Sequence, residues 1–378
     1  MISFAGGAPD LGELDFDKLA HDASRILLDS GPVAMQYGAG QGVEKLRRQI
    51  CSVMELEGVT AAPKDVVVTC GSQQALDLAA RVLIDPGDVV FVEGPTYAGG
   101  MAVFSGLEAE IVHVDTDADG LNPGDLERKI TAVRAAGKSP KALYTIPTFQ
   151  NPGGTILPSD RRTAVGQLCR QHNILIFEDN PYGLLRFDDT MTPAIVSEFP
   201  DITLYFGSFS KMFAPGLRIG WVHAPAHLVP HLVTTHESTV LNPSVYSQLM
   251  MSAYLSNSDW MSRLEKCRRL YSHKCDVMLA GLEHALPAGS RWNRPRGGFY
   301  IWASVSERFD TESLVYECID RGVVFVPGTA FYVDGSGRNE LRLSFCLPSV
   351  DQINTGLQIL GEVFTENGAL RATAGAGR

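Results

Sequence analysis

The stretch ITLYFGSFSKMFAPGLRIGWV, residues 202–222, joins two short apolar runs through a polar loop that carries one lysine. The runs at 202–206 and 219–222 are rich in large apolar residues, show no polar alternation, and are too short for ordinary helices. Such runs predict strands buried on both faces. Four more lie upstream: DVVVT at 65–69, VVFVE at 89–93, ALYTI at 142–146 and ILIFE at 174–178, several of them bounded by Gly, Pro or Asp. Helical stretches fall between many of them, which predicts an α/β fold with a mainly parallel sheet covered by helices on both faces. Ligands of such sheets sit beyond the carboxyl ends of the strands. The polar loop after 202–206, and Lys211 within it, therefore falls where chemistry is expected.

Beyond this region the pattern changes. From Asp259 to about Leu286 one long helix is expected, with Trp260, Leu264, Tyr271, Met278 and Leu282 spaced as an apolar stripe. It reads as a connector to a smaller α+β domain, whose strands are sought in GGFYIWASV, VVFVPG and LRLSFC; the last residues, RATAGAGR, read as a tail. The expected division is an N-terminal segment 1–35 packing with the small domain, a large domain 36–258, and the connector with the small domain at 259–378.

Composition narrows the function. The 378 residues are 45% hydrophobic and 20% charged, with a formal net charge of −11, so a large core is affordable in chain length and a nucleic-acid surface is disfavoured. The seven cysteines form no C-x-x-C pair, which points to reduced thiols rather than a disulfide framework or zinc site. The N-terminus lacks the pattern of a signal peptide, and no segment approaches the length of a membrane span. A cytoplasmic protein that acts on small molecules is the expectation.

Several strand ends carry candidate groups. In VVVTCGSQQALDLAARVL, residues 66–83, a strand ends at Thr69, Gly71 permits a tight turn, and Ser72 can cap the helix that follows. Free amides there, near Ser72, Gln73 and Gln74, suit an anion such as phosphate, although an ordinary strand-to-helix turn has the same look. Asp179 follows the strand 174–178 and Tyr182 lies three residues on. A carboxylate so placed can hold a proton on a heteroaromatic nitrogen, or it can cap a helix. Asn151, in TFQNPGG, could donate to a phenolate oxygen, and Tyr97, in VEGPTYAGG, could stack on a planar ligand. Lys211 would point into this group, with Arg218 nearby to depress its pKa and free the amine for attack on an aldehyde. Ser208, Ser210 and Arg218 would complete an anion shell.

Taken in order, SFAGGAPD, QYGAGQGVEKLR, GSQQALDL, GPTYAGG, FQNPGG, EDNPYGLLRF, GSFSKMFAPGLRIGW, RGGFYIW, VPGTAFY and LRLSF resemble the fold-type I pyridoxal 5′-phosphate aminotransferases. The resemblance is to the subgroup of 2-aminoadipate and broad-specificity amino-acid aminotransferases, and it spans nearly the whole chain. It implies a large domain with a seven-stranded-type sheet, pyridoxal 5′-phosphate as cofactor, and transfer of an amino group from an L-amino acid to a 2-oxo acid. It further implies that Lys211 is the Schiff-base lysine, that Asp179 pairs with the pyridine nitrogen, and that Asn151 and Tyr182 bond the 3′-oxygen. Tyr97 would stack on the ring, and the phosphate would be held by Ser72, Gln73, Ser208, Ser210 and Arg218. Tyr37 would reach the neighbouring subunit's cofactor, which implies a homodimer with shared sites. Arg342 would clamp the substrate carboxylate, and Gly7 would lie over the substrate.

Two departures from the family stand out: relatives usually carry a further N-terminal helix ahead of SFAGG, and Leu184 stands where they often have an acidic residue. The same cofactor motifs also serve elimination, replacement, cyclisation and decarboxylation, and a regulatory module that binds the cofactor is a third alternative. Two lookalikes carry less. GAGQGV has Val43 where a dinucleotide fingerprint needs its third glycine. His223, His227 and His231 are separated by Pro225 and Pro230, which break the helix that would align them on a metal.

Overall fold

A computed structural model describes residues 1–375. Its large sheet has the strand order Val66–Thr69, Gly220–His223, Thr203–Ser208, Leu175–Asp179, Pro140–Thr145, Val89–Gly94, Glu110–Asp117 and Gly120–Leu121. The five strands from Thr203–Ser208 to Glu110–Asp117 pair in parallel. Gly220–His223 runs antiparallel to both its neighbours, so Val66–Thr69 points the same way as the parallel set. The sheet is thus the expected seven strands plus the two-residue Gly120–Leu121, which turns back on Glu110–Asp117.

Successive residues of the central strands feed different cores, which is why the sequence shows continuous apolar runs rather than alternation. Val90 and Val92 pack with the helix Ser72–Leu83, whereas Val89 and Phe91 pack with the helices Pro123–Ala135 and Ser159–Gln171. All four are fully buried, each contributing roughly 1.5–3 kcal/mol by removal from water. Glu110–Asp117 has no such run because it lies near the sheet margin, with only Val114 buried along its eight residues.

The connector helix spans Trp260–Ala285, capped by the Asp259 side chain on Ser262 N, and packs against the last helix, Val350–Gly375. That last helix takes in the start of the segment expected as a tail; residues 376–378 lie outside those described. The small domain is built on an antiparallel sheet ordered Arg291–Trp292, Tyr300–Ser304, Glu340–Ser344, Val326–Pro327.

Residues 1–35 do not behave as one unit. Ile2–Ser3 pairs with Val323–Val324 of the small domain, and Phe4 is held between Val324 O and Ser344 N. The helix Phe16–Ala34 lies instead against Val245–Asn257, where Asn257 Nδ2 donates to Asp22 Oδ1 at 3.2 Å. Among the described residues no helix is long and apolar enough to cross a membrane.

Candidate active site

Because five strands and Val66–Thr69 share one direction, their carboxyl ends meet at one edge of the sheet. A cavity of about 290 Å³ opens there, lined by Gly7, Ser72, Gln73, Tyr97, Asn151, Asp179, Tyr182, Ser208, Ser210, Lys211, Arg218 and Arg342. Twelve of the fourteen residues singled out from sequence thus lie on one cavity. A larger cleft of about 610 Å³, lined by Asp117, Gln150, Trp292 and Glu340 among others, contains none of them.

Gln74 and Tyr37 are the exceptions. The Gln74 side chain turns back to accept Cys70 N–H at 2.6 Å and so closes the strand end instead of facing the cavity. Tyr37 is 77% exposed on the surface. Ser72 also differs in detail: Gly71, at φ 84°, is the capping residue, and Ser72 is the first helical residue. No side chain caps this helix, which leaves its first-turn amides free towards the cavity.

Those amides sit in a close-fitting cradle. A Cβ on Gly220 would come within 2.4 Å of Ser72 N, and one on Gly71 within 2.4 Å of Arg218 Nη2. Arg218 itself adopts a left-handed conformation, φ 53° and ψ 52°, which costs a non-glycine residue roughly 1–2 kcal/mol. The turn brings its guanidinium to Cys70 O at 3.1 Å, beside the free helix start. Ser208 and Ser210 close the other side, with Ser210 N donating to Ser208 Oγ at 3.0 Å. Two hydroxyls, a guanidinium and a helix N-terminus together fit a phosphate.

Asp179 is buried, and its Oδ2 accepts from the Tyr144 hydroxyl at 2.8 Å. Its Oδ1 is buried without a partner in the protein. Burial is the main cause that pushes its pKa up to about 6, against the acidifying hydrogen bond from Tyr144 and the charge of Lys211. A protonated ring nitrogen would supply the missing partner and the missing counter-charge. Lys211 Nζ donates to Gly7 O at 2.9 Å. Burial lowers its pKa first; the charge of Cys346 opposes this, and Arg342 and then Arg218 add to the lowering. The Arg218 effect expected from sequence is therefore present but third in line among the causes that favour the free amine.

Arg342 Nη1 donates to Asn151 Oδ1 at 2.7 Å and Nη2 to Ala5 O at 2.6 Å, while its buried Nε has no partner. Because an arginine only donates, the Asn151 oxygen is fixed on Arg342 and its Nδ2 is left as a donor. The guanidinium lies 4.1 Å from the Tyr300 ring centroid and 4.9 Å from that of Phe331. Tyr144, Tyr300 and Phe331 received no role from sequence. Tyr300 also makes Gly7 obligatory, since a Cβ there would lie 2.1 Å from the Tyr300 hydroxyl. Behind Asn151, buried Glu93 accepts from Thr145 Oγ1 at 2.7 Å, Gln150 Nε2 at 3.0 Å and Ile146 N at 3.2 Å, which holds the loop in place.

A cavity that offers an amine, an orphan carboxylate oxygen, a phosphate cradle and a guanidinium has the groups that pyridoxal 5′-phosphate and an amino acid require. The family model for aminotransferases of class I and II matches residues 1–360, and the chain belongs to that family. It is 35% identical over 368 residues to aromatic-amino-acid aminotransferase 1 of Thermococcus litoralis, covering 97% of this chain and 88% of the relative. Among solved structures, the kynurenine aminotransferase of Pyrococcus horikoshii in complex with PMP superposes with a TM-score of 0.92 at 32% identity, covering 97% of this chain and 91% of that one. The α-aminoadipate aminotransferase of Thermus thermophilus, complexed with N-(5′-phosphopyridoxyl)-L-leucine, gives 0.91 at 32% identity, covering 98% and 93%. The protein is a pyridoxal-phosphate-dependent aminotransferase that moves an amino group from an amino acid to a 2-oxo acid.

Proposed function

We propose that this enzyme takes aromatic or other large neutral L-amino acids as amino donors, and that the cavity residues divide the work as follows. Bound in the cavity, pyridoxal phosphate supplies the aldehyde that receives the amino group and the conjugated ring that accepts the electron pair freed at the substrate Cα. Ser72, Gln73, Ser208, Ser210 and Arg218 hold its phosphate, and Tyr97 covers a ring face. Asp179 Oδ1 keeps the ring nitrogen protonated, while Asn151 Nδ2 and the Tyr182 hydroxyl donate to the 3′-oxygen. Arg342 binds the substrate carboxylate through donors it does not spend on Asn151 and Ala5. Lys211, whose pKa burial lowers, takes the proton from Cα and delivers it at C4′.

The observation that favours a neutral donor is the charge inventory of the cavity. Its cations are Lys211, Arg218 and Arg342, and each already has a task. The rest of the wall includes the rings of Tyr97, Tyr182 and Tyr300 and the side chain of Ile146. A distal carboxylate would be desolvated there with no cation of its own among the described residues, which is costly. With a common 2-oxo acid acceptor, kcat/KM for L-phenylalanine is expected to exceed that for L-2-aminoadipate by about tenfold or more, a difference of roughly 1.4 kcal/mol. A preference for L-2-aminoadipate would contradict the neutral-donor reading.

Two further features support a homodimer with shared sites, working in the cytoplasm. Exposed apolar side chains include Leu28, Val33 and Met35, shortly before Tyr37 in the chain, and Leu241, next to Asn242, which with Val245 lies close to Gly38. An apolar surface of this kind calls for a protein partner. A sedimentation coefficient for a single chain would remove that support. The seven cysteines are all unpaired and six are buried, which suits a reducing compartment.

A further inference from the structure

We propose that Tyr300 is a positioning residue that acts on the cofactor through Tyr182, its hydroxyl donating to the Tyr182 oxygen and strengthening the Tyr182 bond to the 3′-oxygen. The proposal rests on the reading above in which Tyr182 donates to that oxygen.

The two phenols are both buried and both line the cavity. In this structure the Tyr182 hydroxyl donates to the Tyr300 oxygen at 3.3 Å, and the rings meet edge to face, with centroids 5.9 Å apart at an interplanar angle of 85°. Burial raises the pKa of each, so both are neutral and each oxygen carries one proton. Once the Tyr182 proton is committed to the 3′-oxygen, the proton between the two phenols has to come from Tyr300. Tyr182 then accepts and donates together, and a hydroxyl that accepts is a better donor.

The fold places the Tyr300 hydroxyl firmly. Tyr300 opens a strand of the small sheet, paired with Ser344, and its ring lies under the Arg342 guanidinium at 4.1 Å. The hydroxyl fills the space that the missing Gly7 side chain leaves. Among the described residues its hydrogen-bond partner is Tyr182. Ring and hydroxyl thus have separable tasks: the ring supports the carboxylate clamp, and the hydroxyl acts on the cofactor.

Donors to the 3′-oxygen stabilise negative charge on it and weaken its hold on the proton shared with the Lys211 nitrogen. The visible absorption band of the holoenzyme should therefore titrate at a lower pH with Tyr300 than without it. The test is the pH titration of that band in Tyr300→Phe, Tyr182→Phe and the double variant. Phenylalanine keeps the ring against Arg342, so Tyr300→Phe removes the hydroxyl while the cation–π contact remains. The midpoint in Tyr300→Phe should rise by a few tenths of a pH unit, and by more in Tyr182→Phe. The double variant should titrate with Tyr182→Phe. A midpoint unchanged in Tyr300→Phe but raised in Tyr182→Phe would overturn the proposal and leave the Tyr182 reading standing. An unchanged midpoint in Tyr182→Phe would overturn both. A Tyr300→Phe shift that persists without the Tyr182 hydroxyl would show that Tyr300 does not act through it.

Discussion

Replacing Lys211 by alanine is expected to lower amino transfer by on the order of 10⁴-fold or more, because the covalent anchor and the general base of the proposed mechanism are lost together. The cofactor should still bind, since the phosphate cradle at Ser72, Ser208, Ser210 and Arg218 is separate from the amine. Two measurements check this. Borohydride reduction of the wild type should fix the cofactor to the peptide that contains Lys211, and no peptide of the variant should be labelled. Steady-state turnover in the variant should fall to the background of free cofactor. Retention of more than about a hundredth of wild-type turnover would mean that another group moves the α-proton, because such transfer is worth roughly 10²–10⁴-fold.

Asp179→Asn is expected to act in opposite directions on rate and on stability. Losing the counter-charge to the ring nitrogen should cost roughly 3–4 kcal/mol of barrier, a fall of 10²–10³ in kcat, as for other preorganised electrostatic partners. The protein freed of cofactor should instead become more stable above pH 6. There the folded-state pKa of Asp179 is about 6 against an ordinary 3.8, so the folded chain holds more protons than the unfolded one between those values. Stability therefore declines as pH rises from about 4 to 6 and stays reduced above, by roughly 3 kcal/mol for two pKa units. A neutral asparagine removes that penalty. The melting temperature of cofactor-free Asp179→Asn should exceed that of wild type at pH 8 and match it near pH 4. Equal melting temperatures at pH 8 would show that the carboxylate is not strained in the empty cavity, and unchanged kcat would contradict its role toward the ring.

Much of this site can be read in the sequence because of how a doubly covered parallel sheet writes itself. Burial on both faces gives continuous apolar runs, so a polar residue just past such a run, as with Asp179 after 174–178 or Lys211 after 202–206, marks the ligand edge. Residues that act from within a strand leave no such mark. Tyr144 reads as core, and its bond to Asp179 depends on the register that sets it beside Phe177 on the neighbouring strand. Tyr300 and Phe331 belong to the small domain, and their place around Arg342 depends on how that domain docks. Gln74 shows the reverse error. It shares the helix start with Ser72 and Gln73, but its side chain reaches the Cys70 amide, and one-dimensional spacing carries no sign of that choice. Glu110–Asp117 escaped notice for a related reason, since a strand near the sheet margin keeps charged and half-exposed residues.

The central claim is that one cavity, through Lys211, strips the amino group from a donor and hands the same nitrogen to an acceptor. The most direct measurement follows ¹⁵N from labelled L-phenylalanine, first with holoenzyme alone and then after addition of a 2-oxo acid. Expected is one phenylpyruvate per cavity in the first stage, with the label retained on the protein, and a ¹⁵N-labelled new amino acid in the second. Release of labelled ammonia or of carbon dioxide in the first stage, or an unlabelled product in the second, would contradict amino transfer.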